Sequence, residues 1–252
     1  MFPRDHTSPV TRAIDEPRTI LCLDSDPEYP ALLKTAYEHR DDLTFRIETD
    51  PAEAATAVEH VDCVVSANSL DGSDGPALFE TIRAKAPTMP FVLHTGGSLD
   101  AVADELRHGA WTDALVRGWS KARVEQLVER IYRLVTAHRL DTLSRRYCAA
   151  LDSSRQATLV VAPSGAIEFA NPRLGADLQT DRSQIIGRHW STVFTDGSAE
   201  KLRTSAVPVV EKGWRWTGET LLSRQFSDAS SRQTCLTRTE DGSLVFSFHR
   251  LD

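Results

Sequence analysis

From Arg18 onward the chain alternates short apolar runs with amphipathic stretches. Thr19–Leu23 is a continuous apolar run closed by acids, the pattern of a strand buried on both faces. Pro27 opens a helical stretch with Leu32, Leu33, Ala36 and Tyr37 on one side. The alternation repeats, with strands predicted at Leu43–Thr49, Val61–Ala67, Met89–His94 and Thr112–Val116. Helices are predicted at Pro51–His60, Pro76–Ala86, Leu99–His108 and Ser120–His138. Five strands alternating with five helices predict an α/β fold, a doubly wound five-stranded parallel sheet. In such sheets function sits beyond the carboxyl ends of the strands.

The second half has a different rhythm. Strands at Thr158–Ala162 and Ala166–Ala170 flank the turn Pro163-Ser-Gly165, and short helices are predicted at Pro172–Gln179, Arg182–Ile186 and Ala199–Lys212. Three more strands follow, at Trp214–Leu222, Arg232–Arg238 and Ser243–Leu251. This order predicts an α+β domain with a five-stranded antiparallel sheet. Between the halves, Ser120–Asp152 contains no Pro or Gly and reads as one nearly continuous helix. Its stripe of Val124, Leu127, Val128, Ile131, Leu134 and Val135 resumes out of phase at Leu140, Leu143, Tyr147 and Leu151. The second stripe either packs on the following domain or makes a dimerising signalling helix with a stutter. Residues 1–17, with Pro3, Pro9 and Pro17 and no hydrophobic period, read as a flexible leader. The chain thus divides into 1–17, 18–138, 139–152 and 153–252.

Charge narrows the partners. Residues 1–138 carry a net charge of −9 and residues 139–252 a net of +2. Phosphate would be repelled by so acidic a front half, so no nucleic acid is expected. No run approaches the ~20 apolar residues of a membrane span, and no signal peptide is evident. Cys22, Cys63, Cys148 and Cys235 are far apart, which suits a reducing cytoplasm; Cys148 and Cys235 read as small buried hydrophobes. The 24 Arg against 5 Lys fit a GC-rich or moderately salt-adapted source.

Asp24 and Asp26 follow the first strand, where paired hard oxygens make a weak Mg²⁺ site. Equally, Asp26-Pro27 suits the start of a helix. The other strand ends read Ser66-Ala67-Asn68, His94-Thr95-Gly96 and Val116-Arg117-Gly118. With the loop Leu70-Asp-Gly-Ser-Asp74-Gly75 and Gly109-Ala110, these elements resemble the response-regulator receiver domain over about residues 18–138. The resemblance implies that Asp24 and Asp26 bind Mg²⁺, that Thr95 is the switch residue, and that Arg117 stands in the place of a lysine. The phosphoacceptor position falls on Ala67, whose methyl group cannot be a nucleophile. Ser66 points to the opposite face, Asp62 lies at the wrong end of the strand, and Asp71 and Asp74 lie in the following loop. Asp24-Ser-Asp26 is also similar to the nucleophile motif of haloacid-dehalogenase-like phosphatases, but the residues that family requires afterwards are missing.

Residues 147–252 resemble a PAS domain through the entry helix Tyr147–Asp152, the hairpin Leu159–Asn171, Ile185-Ile-Gly-Arg188 with Trp190 and Phe194, Trp216-Thr-Gly-Glu219 and Asp241–Phe246. Asn171, Trp190, Trp214 and Trp216 are the pocket candidates, the tryptophans being large enough to fill it. No haem signature is present, His189 being read as a surface or capping residue. No cysteine occupies Arg182–Ile186, where a flavin adduct would need one. The two resemblances together imply a cytoplasmic, non-catalytic signalling protein, similar in its receiver-then-PAS order to haloarchaeal regulators. It would act through contact with a protein such as a histidine kinase or another regulator, or with a second copy through Ser120–Asp152. Two alternatives stay open: a response regulator phosphorylated on a non-standard aspartate, and a small-molecule sensor.

Overall fold

The computed structural model describes residues 8–102, 106, 108–223 and 229–250. The chain falls into two compact units that divide between Arg145 and Arg146.

In the first unit, β1 (Arg18–Leu23), β2 (Leu43–Glu48) and β3 (Cys63–Ala67) are followed by a minimal hairpin, β4 (Ser69–Leu70) and β5 (Ser73–Asp74). β6 (Phe91–Thr95) and β7 (Thr112–Val116) come next. The five long strands pair in parallel in the order β2-β1-β3-β6-β7. Alternation along β1 builds both layers. Ile20 and Cys22 join Tyr29, Leu33, Leu127 and Ile131 on one side, and Leu21 and Leu23 join Ala54, Leu78, Phe79 and Ile82 on the other. The register sets Ala67 beside His94 and Thr95 beside Val116, so the strand ends form one edge.

Within the predicted leader, the described residues 8–17 are more ordered than their prolines suggest. Pro9–Asp15 is a helix, α1, with the Ser8 hydroxyl accepting from Val10 N at 3.3 Å and proline in its first turn, where a missing N–H costs nothing. Its carboxyl end is gripped by two guanidinium groups. Arg18 donates to Ile14 O at 2.6 Å, and Arg139 to Glu16 O at 2.6 Å and Pro17 O at 2.8 Å. Carbonyls at a helix end attract cations, which explains the grip.

The next helices are α2 (Glu28–Ala36), α3 (Pro51–Ala57) and α4 (Gly75–Lys85). Of the helix expected over Leu99–His108, a 3₁₀ turn covers Leu99–Ala101, and much of the remainder lies outside the described residues. α5 (Lys121–Ser153) is a single 33-residue helix, so both expected boundaries, at 138 and 152, fall inside it. Val124, Leu127, Val128, Ile131 and Val135 are buried, whereas Leu140, Leu143 and Leu151 are half-buried and Tyr147 is 47% exposed.

The second unit is an antiparallel sheet in the order β10-β11-β12-β8-β9, formed by β8 (Ala157–Val161), β9 (Ile167–Ala170), β10 (Trp216–Leu222), β11 (Ser230–Arg238) and β12 (Leu244–Arg250). Helix α6 (Pro172–Leu178) and 3₁₀ turns at Arg182–Gln184 and Trp190–Val193 follow the first hairpin. The helix expected over Ala199–Lys212 begins earlier and changes gauge: α7 (Asp196–Lys201), a π turn at Leu202–Ala206, then α8 (Val207–Val210). Pro208 cannot donate a backbone N–H and crowds the preceding turn, which widens it.

The interior of this unit holds four packed rings. The Trp190 and Phe246 centroids lie 5.8 Å apart, Phe194 and Phe246 5.6 Å, and Phe194 and Phe248 5.9 Å. Trp214 does not join them. It precedes β10 beside Gly213 in the left-handed region and is 72% exposed, which corrects its reading as a pocket residue. Trp216 is half-buried at the margin of the core, with Lys201 Nζ 5.8 Å from its ring. Cys148 and Cys235 also depart from expectation. Cys148 sits on an exposed face of α5, and Cys235 is only half-buried because the inward positions of β11 fall on Thr234 and Leu236.

Candidate functional site

The carboxyl edge of the parallel sheet gathers the residues picked out in the sequence. Asp24 leaves the end of β1 buried, its Oδ1 accepting from Asp26 N at 3.0 Å. Arg117 follows β7 and reaches back across the sheet. Its Nη1 lies 3.2 Å from Asp24 Oδ1 and 3.1 Å from Oδ2, and its Nη2 donates to Asp26 Oδ2 at 2.9 Å. Asp26 also fills its expected place at the start of α2, its Oδ1 accepting from Glu28 N at 3.1 Å.

Aromatic rings hold the guanidinium. Its carbon lies 4.5 Å from the centroid of Tyr29 and 5.1 Å from that of Trp119, and those two rings meet edge to face at 5.4 Å. His94 also packs edge-on with Tyr29, the ring centroids 5.0 Å apart. Cation–π contact is favourable here because the ring faces replace water around the charge. Burial raises the Asp24 carboxyl above its ordinary value, while the Asp26 N–H and Arg117 pull it back. Burial, reinforced by Arg117, lowers His94 to about 4, so its imidazole is neutral at pH 7. Burial lifts the Tyr29 hydroxyl to about 12; this hydroxyl has no hydrogen-bond partner.

Ala67 ends β3 with its methyl on a cleft of about 460 Å³ that Asn68, Ser69, His94, Thr95, Ser98 and Arg117 also line. Thr95 Oγ1 accepts from Gly97 N at 3.1 Å. The structure therefore brings together Asp24, Asp26, Ala67, Thr95 and Arg117. Asp74 stands apart, capping α4 with Oδ1 accepting from Ala77 N at 2.7 Å, and Asp71 lies in the turn of the β4–β5 hairpin. Asp62 accepts from Thr19 N and Arg139 at the opposite edge. Ser66 is buried, its hydroxyl donating to Ala67 O at 2.9 Å.

The donor set does not fit a divalent cation. Both carboxylates already face a guanidinium, and the third corner, at Ala67, offers no carboxylate or other side-chain oxygen. Mg²⁺ demands a near-octahedral shell of oxygens and would lie against the fixed charge of Arg117. Among the described residues no group of three or more His, Cys, Asp or Glu side chains is placed to hold a metal ion.

In the second unit Asn171 is fully buried at the start of α6, where it organises backbone. Its Oδ1 accepts from Thr158 N and Leu174 N, each at 3.0 Å. Its Nδ2 donates to Leu151 O at 3.0 Å and Gln156 O at 2.8 Å. His189 caps the 3₁₀ turn at Trp190, accepting from Ser191 N.

Each half has the strand order of one known module. The first has the receiver fold, the second the PAS fold. No family model matches the sequence, and no curated protein matches it. Among solved structures, the PAS domain of an HTR-like protein from Haloarcula marismortui is 24% identical, covering 45% of this chain and 95% of that one at a TM-score of 0.38. The receiver domain of the Francisella response regulator 1452 is 20% identical, covering 48% and 98% at 0.41. The signal receiver domain of an HD domain-containing protein from Pseudomonas fluorescens is 24% identical, covering 50% and 99% at 0.42. Among the described residues no helix is long and apolar enough to cross a membrane.

Tyr29 and Trp119 escaped the sequence reading, and His94 was read there only as part of a strand end, with no role of its own. Their signals were present. Tyr29 lies three positions after Asp26, Trp119 two after Arg117, and His94 interrupts an otherwise apolar strand.

Proposed function

We propose that the chain is a non-catalytic signalling protein of the two-component type, in which a receiver-like unit that takes no phosphoryl group is joined through α5 to a PAS unit. Output is contact with another protein, such as a histidine kinase or regulator. The observation that carries this reading is Ala67: the cleft, the switch threonine and the cation are assembled around a methyl group. An acyl phosphate needs an oxygen nucleophile there, and none is supplied. Asp71 and Asp74 lie in the following hairpin and contribute no carboxylate to the cluster. The packed rings of Trp190, Phe194, Phe246 and Phe248 favour an interaction role for the PAS unit over that of a small-molecule sensor. The partly exposed stripe of Leu140, Leu143, Tyr147 and Leu151 supports a second copy as one of the contacts.

Incubating the full chain with acetyl phosphate and Mg²⁺, followed by intact-mass measurement, tests the proposal. An unchanged mass is expected. Stoichiometric gain of a phosphoryl group would overturn it.

A further inference from the structure

The acid pair of the first unit lacks the environment that a metal site requires and has a guanidinium against it, of which both terminal nitrogens are engaged and Nε is buried without a hydrogen-bond partner. Asp24 and Asp26 are two like charges at the mouth of a buried strand. Left alone they would repel each other, and burial would disfavour the charged form of Asp24. Arg117 lies between them, touching both carboxylates at 2.9–3.2 Å. Its charge is delocalised over a plane, so one group can bridge two acids at once, which a lysine ammonium does less well. The plane is held from outside by Tyr29 and Trp119 at 4.5 and 5.1 Å. The Arg117 side chain is only 18% exposed, although its partner Trp119 is 52% exposed.

We propose that Arg117 is a resident cation occupying the place of a divalent ion between Asp24 and Asp26, and that it fixes the Trp119 indole in one position on the surface. The site is then complete without metal. One covalently attached group, Arg117, halves the charge of the acid pair from −2 to −1 and sets the orientation of an exposed aromatic side chain. A metal ion added to the solution has no vacancy to fill, and the Trp119 surface does not respond to it. This inference stands apart from the signalling role, since it concerns occupancy of the acid pair whatever the chain signals to.

The test uses the full chain labelled with 5-fluorotryptophan, with the Trp119 fluorine resonance assigned by W119F. Titration with MgCl₂ to about 10 mM is expected to leave that resonance in place, because a ligand that does not bind shifts no equilibrium. Mn²⁺ is expected not to broaden it at substoichiometric amounts. In R117K, which keeps the charge but loses the planar bridge, the resonance is expected to move without added metal. In R117A, Mg²⁺ and Mn²⁺ are expected to act on the resonance where they did not before. Should R117A fail to fold, R117K and the wild-type titration still decide. A saturable Mg²⁺-dependent shift in the wild type would overturn the proposal, as would an unmoved Trp119 resonance in R117K. Phosphoryl transfer is not involved in any arm, so failure here is distinguishable from failure of the proposed function.

Discussion

Asn171 donates its side-chain amide to the carbonyl of Leu151 at 3.0 Å, tying the start of α6 to the last turns of α5. The same amide group also serves Thr158, Leu174 and Gln156, so a single side chain joins a helix end, a strand and a helix start. All four of its main hydrogen-bonding positions are used, out of contact with water.

Replacing this residue is therefore costly. N171A should lower the unfolding free energy by about 3 kcal/mol, because several buried backbone groups lose their partner together. N171D keeps both acceptors but sets a second carboxylate oxygen, buried, against the carbonyls of Leu151 and Gln156, and should cost at least as much as N171A. Urea denaturation followed by far-ultraviolet circular dichroism checks the order.

A second prediction concerns charge inside the second unit. Asp177 and Arg232 are both nearly fully buried, paired at 3.0 and 3.1 Å, with Arg173 and Arg250 approaching the same carboxylate at 3.5 and 3.6 Å. Removing the acid leaves a buried guanidinium uncompensated, so D177A should cost about 3–5 kcal/mol. The double variant D177L/R232M should recover much of that loss. A double-mutant cycle on urea midpoints measures the coupling.

His94 sets a pH dependence. Its folded-state value of about 4 lies below the ordinary 6.5 because burial, and then Arg117, disfavour the charged imidazole. The unfolded chain therefore binds a proton more readily. The associated stability is fully present above about pH 6.5 and is lost progressively as pH falls toward 4, by up to roughly 3 kcal/mol. H94N, which does not titrate, should flatten the slope of stability against pH over that window. An unchanged slope in H94N would show that other groups govern it.

Gly75 is the fourth test. A Cβ at this position would lie 2.4 Å from Leu93 Cδ1 and 2.6 Å from Ala67 O. The α4 backbone thus approaches the end of β3 more closely than any other residue allows. G75A should destabilise the first unit by about 1–3 kcal/mol and displace the Ala67 turn. Thermal unfolding, together with amide shifts at Asn68 and Ser69, reports both effects.

Much of this architecture was legible in the chain. Buried parallel strands announce themselves as apolar runs, and Thr112–Val116 was bounded correctly because turn residues close it on both sides. The grouping of Asp24, Asp26, Ala67, Thr95 and Arg117 followed from their common position at strand ends. Their pairing was less visible, because Arg117 meets Asp24 across 93 positions and its aromatic clamp is assembled from two further segments. Trp214 and Cys148 show the opposite error. Hydrophobicity alone assigned them to the interior, whereas a left-handed glycine and an outward helix face put them in water. The short helix α1 was missed because its stability comes from Arg18 and Arg139, not from a hydrophobic stripe of its own.

The most direct test of the account compares the wild type with A67D/R117K under acetyl phosphate and Mg²⁺, both read by intact mass. The double variant restores an oxygen nucleophile and replaces the bridging guanidinium with an ammonium. It should gain one phosphoryl group while the wild type gains none. Phosphorylation of the wild type would contradict the account, and so would a double variant that stays unmodified, since Ala67 would then not be the missing acceptor.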